Sequence, residues 1–144
     1  PNKFHLDYVD LIEKKVALKN NIQVMGKYRI EEISNILKEL DVLVVPSIWY
    51  ENSPLTIHEA FMAGVPVITS DIGGMAELVK NKVNGLLFKV GDSTDLYRKI
   101  VSLIKNPRLI REMSANIQSI KSIEENAEEL YRFHQKLLVN AQRS

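Results

Sequence analysis

Two buried apolar runs, joined by a helix whose ends are both written into the sequence, constrain this chain more than any other feature. Val42-Leu43-Val44-Val45 is continuous, apolar and largely β-branched, and Pro46 closes it. Such a run predicts a strand buried on both faces. Ser53 followed by Pro54 predicts a helix start, with a side-chain N-cap and then a pre-set φ at the first helical position. The helix expected over Leu55 to Ala63 is stopped by Gly64 and Pro66, and Val65 to Thr69 is the next buried strand. A helix that joins two such strands implies a parallel sheet. It also launches from the carboxyl end of the first strand, where open α/β sheets bind their ligands.

The same alternation runs through the rest of the chain. Leu6 to Leu18 places Val9, Ile12 and Val16 at helical spacing, and Ile22 to Gly26 reads as a short strand. Arg29 to Leu40 carries a stripe of Ile30, Ile33, Ile36, Leu37 and Leu40. Met75 to Lys80 predicts a short helix and Leu86 to Phe88 a strand. The expected fold class is α/β, with a Rossmann-like parallel sheet. Three helices follow, Ser93–Lys105, Pro107–Ile120 and Ile123–Ala141, with Pro107 at a first helical position. Ser122 and Glu125 have capping-box spacing for the last of them. His134 lies on the apolar stripe of that helix and is expected to be a packed, hydrogen-bonded residue rather than a catalytic one. The whole of 1–144 reads as one domain or fragment, an α/β part over 1–107 and C-terminal helices over 108–144.

Composition serves mainly to exclude. Nineteen Lys and Arg against eighteen Asp and Glu leave a net charge of +1, which gives no nucleic acid a reason to bind. No apolar run approaches the ~20 residues of a membrane span, and the first residues lack a signal core. Cysteine is absent, and three scattered histidines have no metal-ligand spacing, so no metal site is expected. Cytoplasmic is the default location.

The chemistry concentrates between Val42 and Gly91. Free N–H groups at Leu55 to Ile57, with the positive end of the helix dipole, make an anion site whose usual guest is phosphate. Glu51 stands just ahead of this helix and Glu59 within it. A carboxylate accepts two vicinal hydroxyls at once, so one of the pair suits a ribose diol and the other a sugar hydroxyl. Trp49 and Tyr50 are expected to pack beneath the loop, with contact to an acceptor as the alternative. Gly73 and Gly74 are expected to serve a tight turn and close backbone approach.

The residues Asp41-Val42 to Pro46-Ser47, Glu51 and Glu59 with seven residues between them, Glu59-Ala60-Phe61-Met62-Ala63-Gly64-Val65-Pro66-Val67-Ile68, Gly73-Gly74 with Glu77, and Asn84-Gly85-Leu86-Leu87 together resemble the group-one (family four) retaining glycosyltransferases of GT-B fold. The resemblance runs from about Asn21 to Pro107. It implies the nucleotide-sugar donor domain of an enzyme that moves a sugar from a nucleoside diphosphate to an acceptor, with retained configuration and no metal or other cofactor. By that resemblance Glu51 is the catalytic glutamate against the donor sugar, and Glu59 holds the ribose. Ser53, Pro54, Leu55 and Thr56 present backbone to the diphosphate. Gly26 and Tyr28 lie near the base, where Tyr28 could stack.

The pattern also departs from the family's. Its donor domain normally opens with two further strands, the first bearing a glycine–arginine turn followed by a lysine, and nothing of that kind precedes Ile22. The N-terminal acceptor domain is likewise missing. Asn52-Ser53-Pro54 replaces the glycine that many relatives carry after Glu51. The chain therefore reads as an excised piece, a broken frame or one part of a two-chain enzyme. The alternative is a non-catalytic nucleotide-sugar-binding module acting with a partner chain. Without the intervening strands, the favoured arrangement has Ile22–Met25 pairing directly with Val42–Val45; pairing with a second copy, or with strands from elsewhere, are the other two.

Overall fold

The computed structural model describes residues 3–118 and 123–141. The chain divides into two units, Pro1–Glu31 and Glu32–Ser144. In the first, helix α1 spans Lys3–Ala17, with Val16 half-buried and the other described side chains exposed. Residues 22–29 then run without regular secondary structure, every one of them exposed, and Gly26 turns at φ +75°. The strand expected at Ile22–Gly26 does not form. A β-branched run becomes a strand only when a neighbour takes its backbone hydrogen bonds, and among the described residues none does. The direct pairing of Ile22–Met25 with Val42–Val45 is overturned with it.

A 3-10 turn, Ile30–Glu32, carries the chain across the boundary and runs into α2, Ile33–Lys38, of the second unit. This is shorter than the helix expected over Arg29–Leu40. Its stripe is also less buried than expected: Leu37 lies inside, whereas Ile30 is 82% exposed. Three parallel strands follow, β1 (Leu43–Val45), β2 (Val67–Ser70) and β3 (Gly85–Phe88), in the spatial order β1-β2-β3. Leu43 pairs in register with Val67, and Val67 in turn with Gly85.

Side chains alternate across the sheet as the two-residue period requires. On one face Val67 joins Ile57, Ala60 and Phe61 of α3 (Leu55–Met62) and Met75 of α4 (Gly73–Leu78), with Leu43, Val45 and Leu87 packed against them. On the other face Ile68, Leu86 and Phe88 meet Leu103 of α5 (Ser93–Lys105) and Met113 of α6 (Arg108–Ala115). Helices thus cover both faces, and the middle strand β2 is buried at all four positions. β1 departs from the expectation of burial on both faces. It ends the sheet, and Val44 is 37% exposed, because the helices of the second face leave its outer part uncovered. Val44, Ile68, Ile100, Leu103, Ile104 and Ile110 line a cavity of about 590 Å³ there.

Helix ends follow local chemistry. Gly64, at φ +75°, closes α3: its N–H donates to Phe61 O and that of Val65 to Ala60 O, a Schellman arrangement. Ser114 Oγ of α6 donates to Gly64 O at 2.6 Å. Asp92 caps α5 by accepting from Asp95 N–H at 2.9 Å. Pro107 precedes α6 as its cap rather than its first helical residue, and α6 ends at Ala115, short of the expected Ile120. The Ser122–Glu125 capping box falls outside the described residues.

The last helix, α7, spans Ile123–Ala141 as expected, but all its described side chains from 124 to 138 are exposed. His134 is among them, against the expectation of a packed residue; its ring meets that of Phe133 edge-on at 6.4 Å. Strong helix formers and an Arg132–Glu128 pair one turn apart favour this helix without burial of its stripe.

Candidate functional site

The site is assembled where two strand-to-helix connections emerge side by side from the carboxyl edge of the sheet. One is the loop from β1 to α3; the other is the tight turn from β2 to α4. Glu51 lies half-buried in the first. Its N–H turns back to Trp49 O at 3.0 Å, and its carbonyl accepts from Gly74 N–H, in the second, at 2.9 Å. Gly73 takes φ +52°, and α4 begins there, two residues before the expected Met75.

Pro54, at φ −65° and ψ 117°, is the N-cap of α3, and Leu55 is its first residue. Ser53 was expected at the cap. One position further out, its hydroxyl instead meets His58 Nε2 at 2.7 Å. Helical side chains lean toward the N-terminus, which brings His58 back over the first turn. Ile57 N–H bonds Pro54 O at 3.1 Å, while the first-turn N–H groups of Leu55 and Thr56 have no partner within the helix. Leu55 and Thr56 are exposed, and Glu59 is half-buried one turn on. The helix is fixed beneath them by Ile57 and Ala60, neither of which has any exposed surface.

Glu51, Ser53, Pro54, Leu55, Thr56 and Glu59 are therefore brought together on one loop and the helix it launches. Gly26 and Tyr28 belong to the first unit, where both are exposed. Trp49 and Tyr50 do not pack beneath the loop. They are 75% and 76% exposed, because the Glu51–Gly74 contact fills the space below it with backbone. The cavity beside Val44 contains none of the expected site residues. Among the described residues, no group of three or more His, Asp or Glu is placed to hold a metal ion. His58 and the partner of Gly74 are features that sequence reasoning missed. The helical lean toward the N-terminus is a signal for the first; the second is a contact between distant segments with no local signal.

A parallel sheet with helices on both faces, and a helix launched from its carboxyl edge, is a doubly wound α/β arrangement of the kind GT-B glycosyltransferase domains have. Residues 5–120 match the family described as Glycosyl transferases group 1, and the chain belongs to that family. It is 37% identical over 102 residues to the UDP-Gal:alpha-D-GlcNAc-diphosphoundecaprenol alpha-1,3-galactosyltransferase of Escherichia coli, covering 71% of this chain and 25% of that protein. With the D-inositol 3-phosphate glycosyltransferase of Rhodococcus erythropolis it shares 30% identity, over 76% of this chain and 25% of that one. The chain thus spans about a quarter of the length of these curated relatives. Among solved structures it is similar to Anabaena Alr3699/HepE in complex with UDP, with TM-score 0.77 and 26% identity, over 96% of this chain and 38% of that one. It is also similar to the C-terminal domain of a group 1 family protein, LpcC, from Francisella tularensis, with TM-score 0.66 and 25% identity, over 80% of this chain and 60% of that one. Among the described residues, no helix is long and apolar enough to cross a membrane.

Proposed function

We propose that this chain is the donor-binding part of a retaining glycosyltransferase, taking a nucleoside diphosphate sugar and acting on an acceptor together with a separate acceptor domain. One observation carries the reading: Glu51 and Glu59 flank the N-terminus of α3, both half-buried, at the carboxyl edge of a parallel sheet. The helix end presents N–H groups and about half a positive charge to the diphosphate. Glu51 faces the donor sugar, as the catalytic glutamate of the resemblance, and Glu59 the ribose. Gly26 and Tyr28 are assigned to the base on the resemblance alone. HepE, solved with UDP and with UDP-glucose, supports a nucleotide-sugar ligand. Stabilising charge on the departing diphosphate is the main catalytic task, which helix dipoles and cationic side chains can perform without a metal. The single-domain reading of 1–144 and the cytoplasmic location belong to this proposal too.

Titration calorimetry with UDP and GDP, with and without chelator, tests it. Binding that is unchanged by chelator is expected; loss of binding on chelation would refute the metal-free site. Incubation with UDP-glucose and water or a simple acceptor, followed by assignment of the anomeric configuration of the product, tests retention.

The uncovered outer part of β1 favours a second reading, a nucleotide-sugar-binding module that works with a partner chain. Nucleotide binding without transfer or hydrolysis by the isolated chain, and transfer on adding the partner, would distinguish it.

A further inference from the structure

We propose that Gly74 is a positioning residue for the donor site: by lacking a side chain it lets the Glu51–Asn52 backbone rest on the first turn of α4. It thereby sets where the Glu51 carboxylate and the N-terminus of α3 stand. The role in donor binding rests on the function proposed above.

The contact is unusually close. A Cβ built on Gly74 would lie 1.7 Å from Asn52 O, 2.5 Å from Asn52 C and 3.0 Å from Glu51 O. All three are backbone atoms, so no side-chain rotation relieves the overlap. Gly74 N–H meanwhile donates to Glu51 O at 2.9 Å, which holds the loop against the glycine. Gly73 adds a weaker limit, since its Cβ would stand 3.0 Å from Glu51 O and 3.1 Å from Tyr50 Cδ1. Gly26 and Gly91 have nothing within 4 Å of the corresponding position. Gly85 is crowded as well, but by Val67 O at 2.1 Å, inside the sheet and away from the loop.

An alanine at 74 must push Asn52 O from 1.7 Å out to the 3.4 Å where ordinary contact begins, and even a displacement of about 1 Å can cost a reacting site about 10²-fold. The displacement is selective. Glu51 and the Asn52-Ser53-Pro54 segment move with the loop, whereas Glu59 is held by the buried face of α3. The sugar and diphosphate end of a donor should therefore feel the substitution more than the nucleoside end.

The test compares Gly74→Ala with wild type in this chain, by amide hydrogen exchange and by calorimetry with UDP-glucose and with UMP. The expected result is altered exchange at residues 51–55 with protection retained in β2 and β3. UDP-glucose affinity falls about tenfold or more, the scale of a lost charge-assisted hydrogen bond, while UMP affinity changes less than about threefold. Equal weakening of both ligands, or loop exchange identical to wild type, overturns the proposal. If wild type binds neither ligand, the functional reading fails for this chain, and loop exchange alone decides whether Gly74 sets the loop. If Gly74→Ala does not fold, Gly73→Ala is used, with a smaller effect in the same direction expected. Loss of protection throughout both variants would make these glycines structural only and overturn the proposal.

Discussion

Thr69 and Ser70 follow one another on β2, both fully buried, and their hydroxyls are in opposite circumstances. Thr69 Oγ1 donates to Val45 O at 2.9 Å and so ties the middle strand to the edge strand. Ser70 Oγ has no hydrogen-bond partner. Removing the Thr69 hydroxyl gives up a hydrogen bond in the interior, whereas deleting an unpaired buried hydroxyl removes a penalty. Thr69→Val is expected to lower stability in urea by about 1–2 kcal/mol, and Ser70→Ala to leave it unchanged or raise it. At the proposed ribose contact, Glu59→Gln keeps the shape and removes the charge. It should weaken UDP by roughly 1–3 kcal/mol in calorimetry, and an unchanged affinity would argue against Glu59 as the ribose ligand. The two glutamates were legible in the sequence because their spacing survives folding: both lie on one loop and its helix. The Ser53–His58 pair and the seat of Glu51 on Gly74 were not, since neither composition nor period encodes which backbone a distant turn will touch.

Among the elements, α3 was legible in its extent and in its stop at Gly64, although the side-chain cap expected of Ser53 does not form. Gly64 supplies the positive φ that its closing turn requires, a conformation costing other residues about 1 kcal/mol. Gly64→Ala should lower the stability measured in urea by about that amount, since the nearest side-chain atom to its Cβ, Ser114 Oγ, stands at an ordinary 3.9 Å. Gly85→Ala, whose Cβ would meet Val67 O at 2.1 Å, is expected to be far more damaging to β2–β3 pairing, read as loss of cooperative unfolding. Elements defined only by apolar residues were less legible. Ile22–Met25 has the composition of a strand, but strand formation needs an adjacent edge that a single sequence does not display. Trp49 and Tyr50 look like core residues by type, yet the loop above the sheet is filled by backbone, which leaves them outside.

At the scale of the molecule, the sheet ends on a strand whose outer part is uncovered. Val44 and its neighbours Ile104 and Ile110 give that edge an apolar border, and unprotected edges invite pairing between copies. Concentration-dependent light scattering is expected, and Val44→Lys should reduce it while leaving the melting transition nearly in place. An unchanged scattering profile would show that this edge is not where copies meet. The parallel α/β class was legible from the alternating periods; which strands would be neighbours was not, since the expected pairing of Ile22–Met25 with Val42–Val45 does not form.

The two ends of α3 are held very differently. Its far end is fastened by a closed turn and by Ser114 from α6, while the near end leans on the Gly74 contact and carries first-turn N–H groups with no partner in the helix. The body of the helix is nevertheless held by buried Ile57 and Ala60, so what a ligand can still order at the end that meets the anion is the largely exposed 51–56 loop and first turn. A ligand seated there would give up part of its binding free energy to that ordering. The thermal signature of binding should then be a favourable enthalpy opposed by entropy, together with slower amide exchange confined to residues 51–58.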